Sequence, residues 1–384
     1  MGFTNVASIC ASAYPRIVRE VQWRCCNASN INLSARVNHS LQRQWQGKLH
    51  NSTILSLILH HSKLNASRLA LVSSSIDAQL LTTCFKVRTT TDASVGGGVE
   101  VVERCRLWGS EGSGPIFSLG VAPDLDLLIT GHAERELMLW RLTDWTSIPG
   151  VPLGGHTGWV RTLAIGKKII ISAACNFIKV WELPDFSDAT VTNTSSVEHL
   201  GDLQLFKGDV LAVAMDDDCI YAATVDGTLH MWIISSTVRK LTMRSINKGI
   251  SVQAHEGRIN SVLVHNGVVI SAGHDGCIRV WCKLTLEMKA EVKAAHEGSL
   301  VHALTATSNF LFSGGADQLV RIWDPESLAS IGEPARLHAA GVRSLSAATS
   351  SSMPSSTETM VNSTIWLVSG DAQGEVVLWR LLSK

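Results

Sequence analysis

Six short segments of this chain close in the same way, and their spacing limits the fold more than any other feature. They are LMLW ending at Trp140, IKVW at Trp181, LHMW at Trp232, IRVW at Trp281, VRIWD at Trp323 and Asp324, and VVLW at Trp379. The intervals between the tryptophans are 41, 51, 49, 42 and 56 residues. A period of about 40–45 residues is that of one supersecondary unit per repeat, and such units bury their apolar faces only against each other. The longer intervals need insertions, and polar stretches at 184–199 and 347–363 stand where these would fall. The best unit, residues 254–281, reads AHEGRINSVLVHNGVVISAGHDGCIRVW. Three runs rich in β-branched residues are separated by turn residues, with HDG as a tight turn between the last two. The unit ending at Trp323 has the same layout. Helical periodicity is absent, which sets aside helix bundles and βαβ folds.

These residues resemble the WD-repeat family, whose signature is a Gly-His near the start of a unit, a tight-turn Asp and a closing Trp-Asp. The Trp holds in six repeats, whereas Asp follows it only at Asp324, and His156 follows Gly155 while His255 and His296 follow alanines. The resemblance is strongest over residues 254–324 and implies an all-β fold, a β-propeller. It also implies a bonded set of His, Ser/Thr, Asp and Trp in each good blade. Here the set falls on His255, Ser271, Asp275 and Trp281, and on His296, Ser313, Asp317 and Trp323. Such a set satisfies buried polar groups and fixes turns. Its likeness to a catalytic Ser-His-Asp arrangement is superficial, because neither an exposed hydroxyl nor an oxyanion hole is indicated. Other repeats depart from the pattern. One has Lys207 and Gly208 near the His position and Ala222 in place of Ser, but keeps Asp226. Another has Asn176 one residue too close to Trp181, and the last has Gln373 in the Asp slot with Asp371 nearby.

Ahead of the six clear repeats, residues 49–87 show a strand, loop, strand, turn, strand order. His50 precedes Ile54 by the spacing seen from His255 to Ile259, Asp77 marks a turn, and Phe85 replaces Trp two residues late. The expectation is therefore seven blades, the first one degenerate. A propeller must close, because an open sheet edge invites aggregation. The chain ends just after Trp379, so residues 35–45 are expected to supply the outer strand of the last blade. Trp108 is assigned to an outer strand, since it lies only 32 residues before Trp140. The domain reading is a tail over 1–34 and a propeller over 35–384.

Thirty-three basic and 33 acidic residues leave no net charge, so composition favours neither nucleic acid nor an anionic membrane surface. None of the nine cysteines stands two residues from another, which removes a zinc-knuckle pattern and leaves reduced, buried thiols. No metal, cofactor or catalytic residue is assigned. No apolar run approaches the ~20 residues of a membrane span. The tail holds Arg16, Arg19 and Arg24 against one acid, Glu20, a composition similar to an organellar transit peptide. The location expected is cytoplasmic or nuclear, or a chloroplast or mitochondrion if the tail is such a peptide.

Without a nucleotide loop, metal-ligand cluster or nucleophile elbow, the chain is read as a non-enzymatic scaffold for one or more protein partners, a monomeric propeller within a larger complex. RNA binding, or ribonucleoprotein assembly, is an alternative that asks for basic and aromatic residues on one face. A ubiquitin-ligase substrate receptor is another, weakened because Asp324-Pro325-Glu326 lacks the arginine such receptors carry after Trp-Asp. No heptads precede the first blade, which disfavours a G-protein β subunit. The candidate partner surface is placed on the loops after the His positions and before the turn Asp: Trp159, Arg161, Arg258, His274, Ala316 and Arg343.

Overall fold

The computed structural model describes residues 39–61, 68–87, 99–108, 114–148, 153–167, 169–183, 197–205, 208–234, 246, 249–350 and 364–383. Its strands form seven antiparallel sheets, six of four strands and one of three. Each sheet is one blade, and all but the last are built from consecutive strands. The first strand of each blade contacts the first strand of the next. The series runs from Ile54–His61 through Ile116–Ala122, Thr162–Ile165, Val210–Met215, Ile259–His265 and Val301–Thr307 to Val342–Ser350, which returns to Ile54–His61. These are the inner strands of a closed seven-bladed β-propeller.

The expected degenerate blade is present as Ile54–His61, Arg68–Ser75, Leu80–Val87 and Val99–Trp108. It is blade 1, and Trp108 ends its outer strand. Blade 7 consists of Val342–Ser350, Thr364–Asp371 and Glu375–Ser383, completed by His39–Lys48 from the start of the described chain. The closing strand thus runs further toward the first blade than the expected 35–45, and residues 35–38 lie outside the described residues. Its register pairs His39 with Ser383 and Lys48 with Glu375, with a bulge between Arg43 and Trp45. A second contact closes the ring: Leu49 and His50 N–H groups both donate to Gly374 O. Gly374 has φ +85, and a Cβ there would lie 2.1 Å from His50 O, so this junction admits only glycine.

Apolar clusters lie between neighbouring blades. Ile270, Ala272 and Val280 of blade 5 pack on Val301, Leu304 and Leu311 of blade 6, all buried. Ile54, Leu57, Leu69 and Phe85 of blade 1 pack on Trp366, Val368 and Leu378 of blade 7. Each blade therefore contributes both faces to someone else's core, which is why the second strands carry apolar runs such as Ile169–Ile171 rather than alternating ones. Inner strands are also stitched by short side chains. Leu59 N–H donates to Ser346 Oγ, Ser118 Oγ to Val160 O, and Leu304 N–H to Ser261 Oγ. Residues 1–34 and the insertions over 184–196 and 351–363 lie outside the described residues. Among those described, no helix is long and apolar enough to cross a membrane.

Candidate partner-binding face

Two blades carry the full bonded set. In blade 5, Trp281 Nε1 donates to Ser271 Oγ at 2.8 Å, and the hydroxyl lies 2.8 Å from His255 Nε2. His255 Nδ1 lies 2.9 Å from Asp275 Oδ1. One direction of donation satisfies all four groups: indole to hydroxyl, hydroxyl to Nε2, and Nδ1–H to the carboxylate. It requires a neutral imidazole, and burial lowers the His255 pKa. Burial alone would raise the Asp275 carboxyl, but hydrogen bonds from His255 and Arg279 outweigh it and hold it at about 2. Blade 6 repeats the chain through Trp323, Ser313, His296 and Asp317, at 2.8, 2.7 and 2.8 Å. Both serines are fully buried, with no access for a substrate.

In these two blades the residue two after the serine is glycine. A Cβ at Gly273 would lie 2.8 Å from His255 Nδ1, and one at Gly315 would lie 2.3 Å from His296 Nδ1. The same position explains how the divergent blades manage. In blade 2 it holds His132, which supplies the imidazole itself. Trp140 Nε1 donates to Thr130 Oγ1, Thr130 Oγ1 lies 2.7 Å from His132 Nε2, and Glu134 approaches Nδ1 to 3.8 Å. In blade 7 it holds Asp371, which supplies the carboxylate in place of Gln373. His338 Nδ1 meets Asp371 at 3.2 Å and His338 Nε2 meets Ser369 at 2.7 Å, with Trp379 donating to Ser369. In blade 4 it holds Thr224, whose hydroxyl bonds Asp226 and stands in for the missing histidine.

Blade 3 keeps His156, Ser172 and Trp181, but its turn is one residue shorter and His156 Nδ1 has no partner. Blade 1 keeps His50, Ser73 and Asp77. Its tryptophan slot is not filled late by Phe85. The register puts Thr83 opposite Leu71 in that slot, while Phe85 packs one step further along the same face, edge-on to Trp45 at 5.2 Å. Thr130, ten residues before Trp140, and His338, four before Val342, stand at the offsets of blade 5 and could have been assigned from the sequence, whereas Ser73 lacks a tryptophan ten residues on and His132 sits where blade 5 has Gly273.

His338, Asp371 and Glu375 bring ligand-type atoms within 4.8 Å of each other. Both imidazole nitrogens are already engaged, by Asp371 and Ser369, and Asp371 also accepts the Gln373 and Glu375 N–H groups. No donor pair on the ring is free for a metal ion.

The bonded sets hold one end of every inner strand and the turn beside it, and the candidate surface residues sit at that end. Trp159 is 51% exposed and its ring stacks on Phe117 of blade 2 at 5.2 Å and 13°. Arg161 is exposed and its guanidinium lies 5.4 Å from the Trp159 ring centre. Arg258 and His274 are exposed and joined through backbone, His274 N–H donating to Arg258 O. Ala316 N–H bonds Leu300 O in the same way. Arg343 is exposed at the start of the blade 7 inner strand. These residues do not form one contact cluster. They share one end of the ring, Trp159 and Arg161 on blade 3 and the others on blades 5 to 7. Phe117, the partner that steadies Trp159, was missed; it lies one residue after the inner-strand position that Val160 occupies in the next blade.

The family model "WD domain, G-beta repeat" matches residues 247–282 and 289–324. Telomerase protein component 1 of Mus musculus is 24% identical over 70% of this chain and 9% of its own length. An uncharacterized WD-repeat protein of Schizosaccharomyces pombe is 22% identical over 54% of this chain and 53% of its own. The chain thus matches well under two thirds of either relative. Among solved structures, the WD40 propeller domain of Doa1 aligns with a TM-score of 0.61 at 19% identity, over 88% of this chain and 96% of that one. Fold and bonded sets define a class of repeat propellers that generally serve as platforms for protein interaction. Two stretches of the chain match the WD-repeat model, and its fold is similar to that of a WD40 propeller.

Proposed function

We propose that this propeller is a non-enzymatic scaffold whose protein partners dock at the end of the ring held by the bonded sets. The observation that carries the reading is Trp159. A half-exposed indole is costly to leave in water unless something covers it, and here stacking on Phe117 and an arginine alongside hold it rigid. Rigid Trp and Arg side chains are the types that dominate binding energy at interfaces. The histidines, serines and tryptophans beneath are structural: they fix the loops that present these side chains.

The test is affinity capture of the full-length chain followed by mass spectrometry, beside the variants Arg258→Glu and Trp159→Ala. Partners lost from the variants, with melting unchanged, name both the pathway and the surface. Undiminished capture by the double variant removes this face. An RNA partner is the second reading, supported by an indole with the Arg161 guanidinium beside it. It requires a labelled oligouridine to bind with a steep salt dependence. Placement in an organelle rests on residues 1–34, and their fusion to a fluorescent reporter tests it.

A further inference from the structure

The inner strands share a feature that singles out one side chain per blade. Near the start of each, pairing with the second strand skips a residue: between Ile54 and Ser56, Ile116 and Ser118, Val210 and Ala212, Ile259 and Ser261, Val301 and Ala303, and Val342 and Ser344. In blade 3 the equivalent residue is Arg161, whose N–H bonds Ala173 O just before the strand begins. A bulge re-aims a side chain away from the ladder. The bulged residues are Leu55, Phe117, Leu211, Asn260, His302 and Arg343, with Arg161 the seventh. They lie at equivalent places on the innermost strands, so they ring the mouth of the central channel.

No member of the ring is acidic, and it divides in two. Phe117 lies under the Trp159 stack, with Leu55 of the same ring before it and Ile76, 48% exposed, on the matching turn of blade 1. Asn260, His302 and Arg343 follow on blades 5 to 7, with Arg258 and His274 beside them. Burial, then the Arg343 charge, push the His302 pKa down to about 4, so its imidazole is neutral and meets a carboxylate as an N–H donor beside the Arg343 guanidinium. Among the described residues Arg258 and Arg343 make no ion pair. The nearest acids of these loops, Glu256 and Glu297, directly follow the buried histidines His255 and His296, and Glu297 is taken up by Arg321 at 3.0 Å. A basic arc without its own counter-ions, set beside a rigid aromatic ledge, is complementary to a negative chain that carries an apolar residue.

We propose that the channel mouth receives an acidic peptide segment of a partner protein, its carboxylates on Arg258, His302 and Arg343 and an apolar side chain on the Phe117–Trp159 stack. This rests on the reading of this face as the partner surface, and adds which chemistry the face selects. Phe117 and His302 then determine specificity rather than merely line the channel.

The test uses full-length protein and a phage-displayed library of random dodecapeptides. Selection should return peptides rich in Asp and Glu with a Leu, Phe or Trp. The strongest, made with a fluorescent label, should lose at least tenfold in affinity when its acids become Gln or Asn, and likewise against Arg343→Ala or Trp159→Ala. Lys289→Ala, exposed on an outer strand, should change nothing. Selected peptides that are neutral or basic, or binding indifferent to Arg343→Ala, overturn the proposal. So does binding only when phosphoserine replaces Glu, or an empty selection. In each of those cases, partner capture that still fails with Arg258→Glu would leave the scaffold reading standing without the acidic peptide.

Discussion

Ser271→Ala isolates the load on one bonded set. Ser271 is fully buried, accepts from Trp281 Nε1 at 2.8 Å and lies 2.8 Å from His255 Nε2. Alanine removes one oxygen and strands two polar atoms, an indole N–H and an imidazole nitrogen, in a site too tight for water. Each buried unsatisfied group costs about 1–3 kcal/mol, and partial relaxation brings the pair to roughly 3 kcal/mol. At about 2.1 cal/mol/K per residue over about 350 residues, unfolding entropy is near 0.7 kcal/mol/K, so the melting point should drop by about 4 °C. Urea titration followed by tryptophan fluorescence and circular dichroism measures the loss. Ser251→Ala, on an exposed outer strand, is the control and should stay within about 0.5 kcal/mol. A Ser271 loss no larger than the Ser251 loss would refute the structural reading of the set. An enzymatic activity that vanished at unchanged stability would replace it with a catalytic one.

Two further outcomes are expected. Burial lowers His132 and His156 to about 4, against about 6.5 in the unfolded chain. The unfolded state therefore binds more protons, and this stability, full above about pH 6.5, is lost as pH falls toward 4, at up to about 1.4 kcal/mol per unit for each histidine. Urea midpoints should fall from pH 7 to pH 5, and His132→Gln should flatten that slope; a flat wild-type profile would contradict the buried neutral imidazoles. A chain starting at Ala35 should melt with the full-length protein, since the closing strand begins at His39; an insoluble product would give the first 34 residues a packing role.

Seven blades were legible because two signals are local. A closing tryptophan and a histidine four residues before an inner strand are both set by one blade's own turns, and His50 and Asp77 persisted after the tryptophan was lost. The closing strand was legible from chain economy, since the last blade lacks a fourth strand of its own. What escaped were the substitutions that move a role rather than delete it. His132 and Asp371 occupy the position of Gly273 and Gly315, where a side chain would strike the usual histidine or replaces a missing partner. Such exchanges depend on a gap of a few ångströms between residues on two strands, and no pattern along one strand records it. The candidate face was half legible. Trp159 and the arginines stand out by type, but Phe117 and His302 acquire their place only through the bulge register.

The central claim is a ring closed by the pairing of His39–Lys48 with Glu375–Ser383, and a cross-link across that pair tests it most directly. Gln42 and Arg380 are Cα partners in this register. Directly opposed antiparallel residues stand about 4.5–5.5 Å apart, within disulfide reach. The variant Gln42→Cys with Arg380→Cys should oxidise to an intramolecular disulfide, located by peptide mass mapping, that raises the urea midpoint. Gln42→Cys with Leu382→Cys, out of register, should not. Failure of the first pair to join within one chain, or its joining only between chains, would contradict a seven-bladed ring closed in this way.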